Sequence, residues 1–312
     1  MKLRGAVIGV GYLGNFHAQK YKVLCDGAFN QKIEFIGVCD LSLPQAEKVA
    51  KENNVQAFSK LEDLVGKIDL ATIATMTSSH FQVAEFLLKN GIHINVEKPM
   101  TVTVEESIRL IQLAKEKGLI LCVGHSERFS PVFRELKKRI TKPLYAELNR
   151  HAPYKIRGAD VSVVHDLMIH DIDLALSLDE SKYTVSDVIG GKMISPTLDY
   201  AAATLRFQSG FEVRISVSRL AAAMTRTMKV IEKNQVFEAN LQTNDLSITT
   251  KNNQTGIATE TTNCGKGDNL LLETEAYFHA CLGEKPAVIS GLHGQRALAV
   301  AEEICQRIEQ NQ

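Results

Sequence analysis

Between Val163 and Leu178 the chain reads VVHDLMIHDIDLALSL, an apolar segment that carries two histidines and three aspartates within nine positions. Ionised side chains in an apolar interior are costly unless they are paired, solvated or used in chemistry. On a helix turning about 100° per residue, Ser162, Asp166, His170, Asp173 and Ser177 share one strip of the wheel and most of the remaining circumference is apolar. His165 and Asp171 lie outside that strip. Asp166 stands one turn before His170, so its carboxylate can bond one imidazole nitrogen, fix the tautomer and raise the basicity of the other nitrogen, as a general base requires. A satisfied structural Asp/His pair on a half-exposed helix is the alternative. Two ligands on one helix face fall short of the three or four that zinc or iron takes, and no metal is expected.

A second cluster is IHINVEKPM, where Glu97, Lys98 and Pro99 end a predicted strand. The carboxyl ends of strands are where open α/β sheets bind ligands. An ammonium near the cationic ring of an oxidised nicotinamide gives up its proton more readily and can serve in proton transfer. Without such a ring, Glu97-Lys98 reads as a solvated surface pair. The third cluster is Gly9-Val10-Gly11-Tyr12-Leu13-Gly14, a G-x-G-x-x-G turn. It follows an apolar strand and precedes a helix, so a pyrophosphate can approach the backbone and face the helix N-terminus. Asp40 ends the next strand, where a carboxylate accepts from a ribose diol and repels a 2'-phosphate, and Leu41 to Leu43 offer no arginine. The expected cofactor is NAD. The Gly14 to Asp40 interval exceeds the usual ~20 residues, which the Lys22 to Lys32 segment explains by lengthening the crossover.

These residues need a frame. GAVIGV, IEFIGVCD, DLATIAT, IHINVEKP and LILCVGH alternate with helical patterns at 15–23, 44–53, 79–90 and 104–117, the rhythm of a parallel sheet in βαβ units. Beyond Gly124 come a helix at 131–140, a strand at 144–151, a loop at 152–160 and the Asp/His helix. Alternating runs that read as an antiparallel sheet follow, then helices at 269–282 and 294–308. The expectation is an α/β protein: a doubly wound Rossmann domain over 1–123, and an α+β domain over 124–312 with a large, open, mostly antiparallel sheet. Its outer face is expected to be apolar and to support self-association, and 252–267 is expected to be a mobile loop.

The chain has 312 residues, enough for two cores, and 36 basic against 36 acidic residues leave no field to attract nucleic acid. The six cysteines form no C-x-x-C pair and mostly lie in apolar runs, as reduced, packed thiols do. No apolar run reaches the ~18 residues of a membrane span, and the N-terminal run is broken by glycines. A soluble cytoplasmic protein is expected.

GVGYLG, Asp40, Ala74-Thr75 with His80 five residues on, Val96-Glu97-Lys98-Pro99 and Asp166-x-x-x-His170 occur in one order. Together they resemble the Gfo/Idh/MocA oxidoreductases over nearly the whole chain. The resemblance implies NAD-dependent oxidation of a CH–OH group. It matches Lys98, Asp166 and His170 to catalytic positions, and Thr75, Thr77, His80 and Glu97 to the nicotinamide side of the cofactor. Met76 stands where many relatives carry proline. It also implies a homo-oligomer, dimer or tetramer.

Gly124 to Phe129, Arg150 to Asp160 and Val163 to Asp173 further resemble the UDP-N-acetylglucosamine 3-dehydrogenases of that family, whose 3-keto product is aminated for a lipid A precursor; Ser162 replaces a frequent glycine. On that likeness the substrate is a sugar or nucleotide sugar met by Lys98 and His170. Arg128, Lys155 and Arg157 would neutralise a diphosphate and Tyr154 would pack on a ring, unless the segment is an ordinary solvated basic loop. An inositol or free-sugar dehydrogenase and a non-catalytic dinucleotide-sensing regulator are the alternatives.

Overall fold

The structure is a computed structural model that describes residues 2–155, 161–252 and 256–311. The chain forms two compact units, one of residues 1–126 and 268–295, the other of 127–267 and 296–312.

The first unit is built on β1 (Leu3–Ile8), β2 (Ile33–Cys39), β3 (Gln56–Phe58), β4 (Leu70–Ile73), β5 (His93–Glu97) and β6 (Leu121–Gly124). They form a parallel sheet in the order β3-β2-β1-β4-β5-β6. The chain enters at the middle and winds both ways, so β1 and β4 flank the switch point where doubly wound sheets bind ligands. Strands covered on both faces read as unbroken apolar runs, and β4 is buried throughout. The helices are α1 (Tyr12–Asp26), α2 (Leu43–Asn53), α3 (Thr77–Lys89) and α4 (Val104–Glu116). Thr103 and Glu106 close a capping box on α4. The short edge strand β3 was not expected, and α1 starts at Tyr12 rather than Asn15.

The expected cut after residue 123 assigned everything beyond it to the second domain. Instead α7 (Asn269–Cys281) belongs to the first unit. Its Tyr277 hydroxyl donates to the Ala71 carbonyl at 3.1 Å and accepts from the Ala71 N–H at 3.2 Å. Phe278 packs edge-on against Tyr21 and Phe29, at 4.8 and 5.3 Å between ring centroids. An amphipathic pattern says that a helix has a buried face, not which core receives it.

The second unit carries α5 (Pro131–Arg139), β7 (Tyr145–His151), a π-helical turn at Val164–Met168, α6 (Ile169–Leu178) and most of α8 (Gly291–Gln310). Its remaining strands are β8 (Tyr183–Gly191), β9 (Tyr200–Phe207), β10 (Glu212–Ser218), β11 (Thr225–Ile231), β12 (Gln235–Asn240), β13 (Asp245–Asn252) and β14 (Gly256–Asn263). The sheet runs β14-β13-β12-β11-β7-β10-β9-β8, antiparallel except where β7 meets β10. Phe133, Leu148, Val164, Ile172, Ile215 and Ile304 belong to its core.

Two expectations fail here. The 252–267 segment contains a strand, β14, paired with β13 from Asp245↔Asn263 to Asn252↔Gly256. Its side chains are mostly exposed and polar, so no apolar alternation marks it. Its rungs include hydroxyl pairs, Ser247 with Thr261 at 2.8 Å and Thr249 with Thr259 at 2.9 Å. The outer face is also polar rather than apolar. Glu147 and Asn149 of β7, Arg214 and Ser216 of β10, and Thr227 and Lys229 of β11 alternate with buried neighbours. All six cysteines are free. Among the described residues, no helix is long and apolar enough to cross a membrane.

Candidate active site

In the first unit, Gly9 adopts φ +79°, and a Cβ on it would lie 2.6 Å from the Thr75 methyl and 2.8 Å from its Cα. A Cβ on Gly14 would lie 1.8 Å from the Gly9 carbonyl oxygen. Both positions therefore exclude side chains. Gly11, in contrast, has nothing within 4 Å of where its Cβ would be. It precedes α1, whose N-terminus has no side-chain cap. That is an open, uncapped helix start suited to a pyrophosphate. Tyr12 is exposed and stacks edge-on with Phe16 at 5.2 Å, and Leu13 is half-buried. Asp40 is held across the turn, one carboxylate oxygen accepting from Val10 N–H at 2.8 Å and the other from Ser42 N–H at 2.9 Å. Each oxygen keeps a lone pair for a ribose hydroxyl. The turn, the helix start and the acid thus fit a dinucleotide. Gly14→Ala is expected to abolish NAD binding, since the new methyl and the Gly9 carbonyl cannot coexist; isothermal titration with NAD measures it.

The residues that the resemblance matches to the nicotinamide side lie at the carboxyl ends of β4 and β5 and at the start of α3. Thr75 and Thr77 are half-buried where β4 passes into α3, beside an exposed Met76. His80 lies beneath them, 1% exposed, its Nδ1 2.9 Å from the Pro99 carbonyl and its Nε2 3.1 Å from the Thr75 carbonyl. It ties the two loops together from inside. Burial lowers its pKa below the ordinary histidine value, against the pull of those carbonyls and Glu97. Glu97 is likewise buried, with Oε1 2.7 Å from His17 Nε2 and Oε2 accepting from Lys98 N–H at 3.2 Å. His80 and Glu97 therefore brace the layer above rather than present open polar atoms to a ligand. Lys98 follows, half-buried at the end of β5.

In the second unit, the Asp/His segment is not one regular α-helix. Residues 164–168 form a π-turn, which takes one residue more per bond than an α-turn and so displaces the expected stripe. Asp166 and His170 are half-buried on either side of this change of winding, whereas Asp171 and Asp173 are buried. Arg150 of β7 meets Asp171 through Nε at 3.1 Å to each oxygen and Nη2 at 2.8 Å, and reaches Glu127 through Nη1 at 3.2 Å. Burial pulls that guanidinium toward neutrality, but Asp171 and Glu127 outweigh it and raise its pKa above the arginine norm. Arg128 grips Asp173 with two bonds of 2.6 Å. These two clamps fix the rotation of α6 about its axis.

Three expectations change accordingly. Asp173 belongs to a buried ion pair, not to an open polar stripe. Arg128, expected against a diphosphate, is 9% exposed in its side chain and committed to Asp173. Ser162 caps the π-turn by accepting from Val164 N–H at 3.2 Å. Tyr154 and Lys155 are exposed on the loop after β7, and Arg157 lies outside the described residues. His165, which the wheel left unassigned, packs with Nδ1 3.9 Å from Cys305 Sγ, and burial lowers its pKa. Later in the chain, Asp199 accepts from the N–H groups of Met193, Ile194 and Ser195; the entry to the turn is pinned by Arg219 Nη2 donating to the Val161 carbonyl at 2.6 Å and by Val163 N–H donating to the Leu198 carbonyl at 2.9 Å.

Sequence reasoning missed His17, Arg150, Asp199 and Glu273. His17 could have been noticed, as a lone polar residue on the α1 face that buries Ala18 and Tyr21. Arg150 and Glu273 carry no local signal, because their partners come from other strands and helices, whereas Asp199 accepts from backbone N–H groups shortly before it in the chain.

Comparison with known proteins agrees with this construction. The Gfo/Idh/MocA family model, described as an oxidoreductase family with an NAD-binding Rossmann fold, matches residues 3–125. The chain is 33% identical to the UDP-N-acetylglucosamine 3-dehydrogenase of Acidithiobacillus ferrooxidans, over 98% of this chain and 97% of that one. It is 30% identical to the scyllo-inositol 2-dehydrogenase (NAD(+)) of Bacillus subtilis, over 70% and 68%. A solved structure of the Acidithiobacillus enzyme superposes with a TM-score of 0.91 at 32% identity, covering 99% of each chain. The glycine turn, Asp40 and the Glu97-Lys98-Pro99 strand end lie in a doubly wound sheet, and the likeness continues through the second unit: the chain is an NAD-dependent oxidoreductase and belongs to the Gfo/Idh/MocA family.

Proposed function

We propose that the protein oxidises a secondary hydroxyl of a nucleotide-linked sugar to a ketone, the 3-hydroxyl of UDP-N-acetylglucosamine being the substrate group. The observation that carries this reading is the end-to-end likeness to the Acidithiobacillus enzyme, which includes the second unit. The glycine turn and α1 would hold the cofactor's pyrophosphate, and Asp40 its adenosine ribose. Bound NAD supplies the hydride acceptor. His170, steadied by Asp166, would take the hydroxyl proton, and the Lys98 ammonium would serve as the electrophilic group of the reaction. Thr75 and Thr77 line the nicotinamide side over the His80 and Glu97 braces. Lys155 and Arg157 would meet the nucleotide diphosphate, and Tyr154 would pack on a ring.

The 3-keto product suits an aminotransferase as the next step, and a soluble nucleotide sugar places the reaction in the cytoplasm. Self-association belongs to the same reading and is checked by solution mass. A second reading, inositol oxidation, is favoured by the likeness to the scyllo-inositol enzyme. Incubation with NAD and a panel of UDP-sugars, free sugars and inositols, following NADH absorbance, separates them. Turnover led by UDP-N-acetylglucosamine supports the proposal and turnover led by an inositol replaces it. NAD binding with no NADH from any alcohol would mean a dinucleotide sensor.

A further inference from the structure

Alternate residues of a strand share a face, so β5 turns Asn95 and Glu97 to one side of the first unit's sheet. There they meet His17 from α1 and Glu273 from α7, and none of the four is more than 6% exposed. Glu97 Oε1 is 2.7 Å from His17 Nε2, and Asn95 Nδ2 donates to Glu273 Oε1 at 3.1 Å. One ligating atom from each of His17, Glu97 and Glu273 lies within 4.8 Å of the other two. The Glu97 carboxyl also lies against Gly124 of β6, where a Cβ would be 3.0 Å from Glu97 Cδ. The carboxyl is thus confined by β6, α1 and α7, and its second oxygen accepts from Lys98 N–H.

We propose that Glu273 is a positioning residue for Lys98: from α7 it completes the polar cluster of Asn95, Glu97 and His17 that fixes the strand end from which Lys98 projects. The inference rests on the catalytic role given to Lys98 above.

Two buried carboxyl groups this close do not both ionise, because the second charge faces both desolvation and the first. Their partners decide which keeps the proton. Burial pushes Glu97 up, but the His17 bond, the His17 and Lys98 charges and the Lys98 N–H together hold it below the ordinary carboxylate range. Glu273 has the Asn95 amide alone; burial and then the Glu97 charge push it well above that range. The surroundings of Glu273 thus favour the protonated acid, whose Oε1 accepts from Asn95. The cluster has one negative charge where a count of its carboxyl groups suggests two. The 2.7 Å contact of His17 with Glu97 is a direct hydrogen bond.

The test compares Glu273→Gln, which keeps a neutral acceptor and donor, with Glu273→Met, which fills the volume and offers neither. In the full-length protein three quantities are measured: kcat against pH with NAD and the best alcohol of the panel, the NADH Kd by fluorescence, and the infrared carbonyl band of protonated carboxylic acids at neutral pH. The Gln variant is expected to keep kcat and its pH profile within about twofold, and to lose one such band. The Met variant is expected to lose roughly 10- to 100-fold in kcat, as a displaced catalytic group does, with NADH affinity near the wild-type value. Wild-type kcat in the Met variant, a Gln variant as impaired as Met, or an undiminished band in Gln would each overturn the proposal. Should the Met variant not fold, the Gln profile and band decide. The infrared measurement needs no substrate, so a wrong substrate assignment shows in the panel without altering it.

Discussion

His170→Ala and Lys98→Ala are each expected to lower kcat about 10²- to 10⁴-fold, the range for general acid/base and electrostatic assistance. The Kd for NAD should scarcely move, because the groups that fit a dinucleotide are Gly9, Gly11, Gly14, Asp40 and the start of α1. The separation is therefore in kcat and not in cofactor binding. The double variant should fall by less than the product of the single losses, because groups that serve one chemical step behave as a unit. Asp166→Asn, which keeps the shape but no longer favours a charged imidazole, should lie between wild type and His170→Ala. Steady-state kinetics with NAD titrations provide all of these numbers. Near-normal turnover in both alanine variants would remove the assignment.

Arg150→Ala should be the most destabilising substitution of a residue that has no part in the chemistry. Its guanidinium is 2% exposed and holds the buried Asp171 and also Glu127. Removing one partner of a buried ion pair leaves the other uncompensated, typically at about 3–5 kcal/mol. Urea unfolding of the whole chain, followed by circular dichroism, should show a loss of that order. The double replacement Arg150→Met with Asp171→Leu should recover much of it, because Asp171 is no longer stranded, Glu127 keeps Arg226 at 3.5 Å, and the volume is similar. Asp171 adjoins His170, so the single variant should also slow turnover among molecules that remain folded, whereas the double variant tests whether packing alone can hold α6 in rotation. A single variant as stable as wild type would mean that α6 is fixed by its apolar contacts alone.

The parallel sheet of the first unit was legible because its information is short-range. Unbroken apolar runs, the glycine turn and Asp40 at a strand end each speak within a few residues of themselves, and β1, β2, β4, β5 and β6 formed where those runs lie. In the second unit the same reasoning found β7 to β11 and β13 from their alternation. It passed over β12, and also β14, whose threonines and glutamate face solvent on an edge and leave no apolar rhythm.

At the site, residue types and spacing by themselves determined which groups could do chemistry: Gly9, Gly11 and Gly14 for a phosphate, Asp40 for a ribose, and Lys98, Asp166 and His170 for a proton and a hydride partner. Only the tertiary structure decided how neighbouring charges are used. The π-turn at Val164–Met168 moved Asp173 off the expected stripe, the meeting of α6 with β7 brought Asp171 to Arg150, and the return of α7 to the first unit placed Glu273 beside Glu97. A helical wheel knows one helix. The partner of a buried charge is set by whichever strand or helix the fold packs against it, and that choice minimises the desolvation of the whole cluster rather than of any one segment.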